Sequence, residues 1–154
     1  MPRQCSYPNV HLPAVKPYYS QSMEKGIQIR LAKQKDAETI REIYNHEVRN
    51  STATFDLVER TTEEQEEWLT ERSGAFSVLV AEMSNKILGF ASLSPYKSRA
   101  AYRTTVEDSI YINEEFRNQG IAGELLFHLL EVAKSSGFHA VIARIGGANE
   151  ASIA

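Results

Sequence analysis

Val106-Glu-Asp-Ser-Ile-Tyr-Ile112 leads through a short polar link into Arg117-Asn-Gln-Gly-Ile-Ala-Gly123 and then into a leucine-rich run ending near Ser136. The first of these pieces has the β-branched and aromatic content of a strand. From about Gly120 to Ser136 the apolar residues recur at helical spacing. Leu125, Leu126, Leu129, Leu130, Val132 and Ala133 are expected to form the buried face of an amphipathic helix. Gly137 suits the helix stop. Ala140-Val-Ile-Ala-Arg-Ile145 is then a continuous apolar strand, expected to be central and parallel to the one before the helix, and Gly146-Gly147 breaks it. Strand, helix and parallel strand in this order give an α/β class.

The junction between strand and helix has a chemistry of its own. The first N–H groups of a helix lack internal partners, and the helix dipole is positive there, so anions are favoured. Gly120 lets a phosphate approach the backbone, Ala122 is nearly as small, and Arg117 adds positive charge. The loop matches neither a Walker loop nor the dinucleotide Gly-x-Gly-x-x-Gly pattern.

Toward the N-terminus, Phe76–Ala81 and Ile87–Leu93 read as two strands joined by a turn at Ser84-Asn85, an antiparallel hairpin. Thr62 with Gln65 resembles a capping box for a helix carrying Trp68 and Leu69. Asp36 is placed to cap a helix with Ile40, Ile43, Tyr44 and Val48 on one face. Ile27, Ile29 and Leu31 alternate as in a half-buried strand. Asn149–Ala154 reads as the start of a further helix. The expected order is strand, two helices, three strands, helix, strand and nascent helix, with a mixed sheet. Residues 1–25 carry Pro2, Pro8, Pro13 and Pro17 without periodicity and read as a disordered tail, with Met23 resembling a natural start. The domain is expected over 26–154.

The chain has 154 residues, the length of one domain, and 42% hydrophobic residues, enough for a core. A net charge of −3 argues against nucleic acid as the main ligand. The single cysteine, Cys5, excludes an internal disulfide and a cysteine-based metal cluster. His11 and His128 show no ligand-like pairing, so no metal is expected. No run approaches the ~20 apolar residues of a membrane helix, and no secretory signal is evident. A soluble cytoplasmic protein is the expectation, without a membrane partner.

Three stretches, taken with the loop, carry a more specific signal. They are Ile43-Tyr-Asn-His-Glu-Val48 with Ser51-Thr-Ala-Thr-Phe55; Pro95-Tyr-Lys-Ser-Arg-Ala-Ala-Tyr-Arg-Thr-Thr-Val-Glu-Asp-Ser-Ile-Tyr-Ile112; and Gly137-Phe-His139 continuing to Asn149-Glu-Ala-Ser-Ile-Ala154. Arg117–Ala122 resembles the pyrophosphate loop of GNAT acetyltransferases, Arg/Gln-x-x-Gly-x-Gly/Ala. The longer stretches resemble the phosphinothricin and methionine sulfoximine acetyltransferase branch. The similarity runs from about Ile27 to Ala154, leaving the tail outside.

The resemblance implies a GNAT fold, a mixed sheet with flanking helices, and acetyl-CoA as co-substrate without a metal. It implies that the backbone at Ile110, Tyr111 and Ile112 pairs with pantetheine, while Ile110 and Ile112 also pack inward. Backbone amides of Asn118, Gln119, Gly120, Ile121, Ala122 and Gly123 would hold the pyrophosphate, helped by Arg117. Asn149 and Ser152 would contact pantetheine or the adenosine side. The family's catalytic carboxylate falls on Glu107. An amine is mostly protonated at neutral pH and must lose a proton before it attacks a thioester, which a partly buried carboxylate can accept. The plainer alternative for Glu107 is a solvated or salt-bridged strand-end residue.

Substrate contacts are implied at Lys97, Ser98 and Arg99, with Asp108 and Ser109 beside Glu107; Arg103 is a further cation in reach. The alternative for these basic residues is simple solvation. His46 and His139 match family positions but are expected to be structural, and Tyr111 to be packed rather than catalytic. The implied acceptor is a small amino acid or analogue such as phosphinothricin, methionine sulfoximine or methionine sulfone. Acetylation of a peptide or protein amine, and a non-catalytic acetyl-CoA-binding module, are the alternatives; a homodimer is compatible with the family. Gln119 and Ala122 stand where many relatives have a basic residue and Gly. The family also continues beyond Ala154 with the rest of a helix and two strands. The chain is therefore expected to be C-terminally incomplete, with an unpaired edge along 140–145, poor stability and low activity.

Overall fold

In a computed structural model of the protein, residues 26–72 and 74–146 are described. Strand β1 is Gln28–Leu31, helix α1 Ala37–Asn50 and helix α2 Thr62–Glu71. Strands β2, β3 and β4 are Val78–Met83, Lys86–Pro95 and Thr105–Ile112. Helix α3 is Ile121–Ser135 and strand β5 Ala140–Ala143. The tail, Cys5, His11, Asn149, Ser152 and the anticipated helix at 149–154 lie outside the described residues.

The strands form one sheet in the order β1-β2-β3-β4-β5. The first three pairings are antiparallel, while β4 and β5 run parallel across the α3 connection, so the sheet is mixed as expected. Among the described residues β5 lies at the edge of the sheet rather than between two strands. The β2–β3 hairpin turns on Ser84 and Asn85, both at positive φ, the conformation a tight two-residue hairpin demands.

Two cores flank the sheet. Ile121, Leu125, Leu129 and Val132 of α3 pack on Leu79, Leu93 and Val106. On the other face Ile40, Ile43 and Tyr44 of α1 and Leu69 of α2 pack on Val78, Val80 and Phe90. Alternation along β4 therefore sends Val106, Asp108, Ile110 and Ile112 toward α3, and Glu107, Ser109 and Tyr111 toward α1 and α2.

Three further sequence expectations are corrected. Leu126 and Leu130 are solvent-exposed, because each sits one residue, about 100°, past the stripe made by Leu125 and Leu129. The capping box of α2 is Thr61 with Glu64, one residue earlier than expected. Gln65 is instead fully buried and accepts a hydrogen bond from Arg60. Asp36 precedes α1 but does not cap it with its side chain. Its carboxylate takes the Arg30 guanidinium at 2.7 and 3.0 Å and the Lys33 N–H at 2.7 Å, a stronger set of charge-assisted partners.

Candidate active site at the fork of the sheet

Strand β4 is gripped unequally on its two sides. Against β3 it is paired along its whole length, from Val106–Pro95 to Ile112–Gly89. Against β5 it is paired only from Thr105 to Asp108. Beyond that point the two parallel strands part. Hydrogen bonds from Asn113 N–H to Leu88 and from Tyr96 N–H to Thr105 fix which residues of β4 turn their backbone groups to β3. By the alternation of an antiparallel ladder these are Glu107, Ser109 and Tyr111. The N–H and C=O groups of Ile110 and Ile112 consequently point into the fork. Of the three backbone positions singled out in the sequence, Tyr111 is directed into the ladder and the other two away from it, with the Ile112 carbonyl met by Arg117. Gly89 permits this packing, since a Cβ there would lie 2.6 Å from Ile112 Cδ1 and 2.7 Å from the Tyr111 carbonyl oxygen.

At the end of β4 the chain makes a single 3-10 turn over Glu114–Phe116 and enters the loop. Asn118 and Gly120 both adopt positive φ, 60° and 83°. Gly120 is the N-cap of α3, with no side chain bonded to the helix terminus. The helical ladder begins with the Glu124 N–H bonded to the Gly120 carbonyl at 3.3 Å, so the N–H groups of Ile121, Ala122 and Gly123 precede it. Space is open around the loop: a Cβ added at Gly120 or Gly123 would meet nothing within 4 Å. Open backbone donors beside the mouth of the fork are a chemically suitable seat for an anion.

Arg117 does not aim its charge at that seat. Its guanidinium forms an ion pair with Glu47 of α1 and places Nε 3.4 Å from the Ile112 carbonyl oxygen. The Glu47 side chain is only 5% exposed, and its other oxygen accepts from Ser51 Oγ at 2.6 Å. A buried carboxylate recruits the nearest cation, which outweighs an empty helix terminus. Glu47 lies at the spacing of the apolar stripe Ile40, Ile43 and Tyr44, and a Glu in such a stripe was the available clue to a buried partner.

Glu107 faces the α1–α2 side, its side chain 16% exposed, with Oε1 2.7 Å from Nε of Arg144. That pairing holds the Arg144 guanidinium above its ordinary range. Glu107 is thus both salt-bridged and positioned on the fork. Ser109 and Tyr111 continue the same face. Tyr111 meets Tyr44 edge-on at 5.3 Å and Phe90 at 5.3 Å, and burial raises its phenol above the usual range. It is packed, as expected. The Tyr44 hydroxyl donates to Asp56 and lies 3.0 Å from Thr54 Oγ1, and burial together with the Asp56 bond pushes its pKa up to about 12. Arg60 stacks 3.7 Å from the Tyr44 ring centre.

The remaining predicted residues are more scattered. Lys97 Nζ lies 4.9 Å from the Tyr96 ring and 5.3 Å from Tyr102, while Ser98, Arg99 and Arg103 are exposed. Asp108 faces α3, away from Glu107, with buried Oδ1 lacking a partner among the described residues, and burial raises its pKa. His46 pairs with Glu114 at 3.1 Å, and His128 lies 2.9 Å from its own helix's Glu124 carbonyl. Among the described residues no group of three or more His, Cys, Asp or Glu side chains is arranged to hold a metal. No described helix is long and apolar enough to cross a membrane.

A parallel pair of strands that parts beside a helix terminus, with a carboxylate on the shared strand, is thus set in an α/β fold. Residues 38–154 match the acetyltransferase (GNAT) family. A phosphinothricin N-acetyltransferase from Streptomyces coelicolor is 34% identical over 130 residues, covering 82% of this chain and 76% of that protein. An L-methionine sulfoximine/L-methionine sulfone acetyltransferase from Salmonella typhimurium is 33% identical, covering 81% and 74%. The crystal structure of a GNAT superfamily phosphinothricin acetyltransferase from Sinorhizobium meliloti, in complex with acetyl-CoA, superposes with a TM-score of 0.79 at 35% identity, covering 83% of this chain and 70% of that one. The chain belongs to the GNAT acetyltransferase family and is an N-acetyltransferase.

Proposed function

We propose that the protein transfers an acetyl group from acetyl-CoA to the amine of a small amino acid or analogue of the phosphinothricin, methionine sulfoximine or methionine sulfone type, with Glu107 as general base. The observation that carries this reading is the fork: β5 releases β4 after Asp108, leaving the backbone of Ile110 and the N–H of Ile112 open three and five residues beyond Glu107. Ile110 would pair strand-like with pantetheine. The N–H groups of Ile121, Ala122 and Gly123, with the positive-φ turn at Asn118 and Gly120, would take the pyrophosphate. When bound, acetyl-CoA supplies a thioester whose C–S bond breaks as the amide bond forms.

The side chains then have definite tasks. The acceptor's ammonium replaces Arg144 on Glu107, a cation-for-cation exchange that the 61% exposed Arg144 side chain allows at little cost. Glu107 accepts the proton, directly or through a water, and frees the nitrogen lone pair. The Ile112 N–H lies on the open edge, placed to stabilise charge developing on the acyl oxygen.

The test is steady-state acetylation of methionine sulfone, methionine sulfoximine and phosphinothricin by the wild type and Glu107→Gln. The expected loss in kcat is about 10²- to 10⁴-fold with acetyl-CoA affinity retained. Equal rates for the two proteins would remove Glu107 as the base. Binding of acetyl-CoA without turnover of any amine would make the protein a cofactor-binding module instead.

A further inference from the structure

On the face of the sheet that carries Glu107 stands a second cation. Arg72, just past the end of α2, lies with its guanidinium 4.3 Å from the Trp68 ring. Its Nη2 reaches Ser94 Oγ at 3.3 Å and its Nη1 the Trp68 carbonyl at 3.5 Å. Both acceptors are neutral. Nε is buried and has no hydrogen-bond partner among the described residues. No carboxylate among those residues forms an ion pair with Arg72, in contrast to Arg30, Arg41, Arg49, Arg60, Arg117 and Arg144. Arg60 approaches the other side of the problem: its guanidinium lies 4.9 Å from the same Trp68 ring, and its nearest carboxylate, Asp56, is 4.0 Å away. Glu71 next in the chain attracts it without forming an ion pair, and a half-buried guanidinium beside a second one with no paired carboxylate is unfavourable on its own. Burial and the neighbouring Arg60 both lower its pKa accordingly.

The position of this cation relative to the base is fixed by the sheet. Ser94 and Glu107 are direct ladder partners. They belong to the hydrogen-bonded set, so their Cα atoms are about 5.5 Å apart and their side chains leave the same face. An α-amino acid carries its amine and its carboxylate on one carbon. With the amine on Glu107, its carboxylate falls one strand over, at Ser94 and the Arg72 guanidinium.

We propose that Arg72, assisted by Ser94, holds the α-carboxylate of the acceptor and makes a free amino acid, rather than a peptide or a simple amine, the preferred substrate. The inference rests on the acetyl-transfer reading above and assigns the carboxylate to β3 and α2, not to the exposed cations of the 97–99 loop.

The experiment compares L-methionine sulfone with its α-carboxamide as acceptors, in the wild type, Arg72→Gln and Arg72→Lys. Wild type is expected to prefer the acid by about 100-fold in kcat/KM, the worth of a charge-assisted bidentate contact. Arg72→Gln should lose that factor on the acid and change little on the amide, so the preference collapses; Arg72→Lys should recover part of it. A preference unchanged in Arg72→Gln, or a wild type that takes acid and amide equally, overturns the assignment. The second comparison needs no variant and holds even where Arg72→Gln folds poorly. Failure of the underlying reading looks different: the wild type then acetylates neither compound while still binding acetyl-CoA.

Discussion

At the scale of single residues, charge partners decide what each candidate can do. Arg117 and Glu107 are both singled out by the sequence, and each is claimed by a partner far away in the chain, Glu47 and Arg144 respectively. No local pattern encodes such pairings, because they depend on where α1 and the end of β5 arrive in space. What the sequence does carry is the residue type at the fork and the Glu within an apolar stripe. Tyr44 offers a prediction of a different kind. Its folded pKa of about 12 lies above the ordinary value of 10.0. The protonated phenol is therefore favoured in the native state, and its contribution is complete below pH 10 and lost as pH rises toward 12. Tyr44→Phe should be less stable than wild type at neutral pH, through loss of the Asp56 and Thr54 bonds. The gap should narrow across pH 10–12 by roughly 2 kcal/mol. Melting temperatures measured against pH check this; a constant gap would contradict it.

At the scale of elements, periodicity was a good guide to existence and a poorer one to boundaries and faces. The hairpin at Ser84-Asn85, the α3 stripe and the parallel β4–β5 pair are all where local chemistry puts them. The shift from Thr62–Gln65 to Thr61–Glu64 shows why boundaries slip. Two overlapping box patterns compete, and burial of Gln65 under Arg60 selects between them. Leu126 and Leu130 show the same for faces, since a leucine beside the stripe looks like a leucine within it. Gly89 marks where two elements touch most closely. Gly89→Ala would drive a methyl into Ile112 and the Tyr111 carbonyl. Because backbone cannot yield as a side-chain end can, the expected cost is about 1–3 kcal/mol, read as a lower melting temperature. A weaker hold on acetyl-CoA should accompany it, as β4 is displaced. Unchanged stability and affinity would show that the β3–β4 contact is more pliant than its geometry implies.

At the scale of the whole molecule, the α/β class and element order were legible because each rests on local signals in sequence order. The fork was not, since it depends on where two strands, paired at positions such as Thr105 and Ala140, cease to pair, and on what they pair with instead. The described residues bury a core on each face of the sheet, one under α3 and one under α1 and α2. The proposed ligand bridges these layers through β4 and the N-terminus of α3. Saturating acetyl-CoA should therefore stabilise the fold as one unit. At a hundredfold excess over Kd a ligand contributes about 2.7 kcal/mol, or roughly 5–10 °C in a domain of this size. A cooperative transition that does not move with acetyl-CoA would count against the cofactor site itself.

Because β4 carries both Glu107 and the open edge at Ile110, the spacing between the proposed proton acceptor and the proposed pantetheine seat is a length of covalent chain held straight. It works as a ruler, graduated in residues of about 3.4 Å. Loops around it can move without altering that reading. The same graduation makes it unforgiving: one residue gained or lost between Glu107 and Ile110 exchanges the two faces of the strand, and no intermediate setting exists.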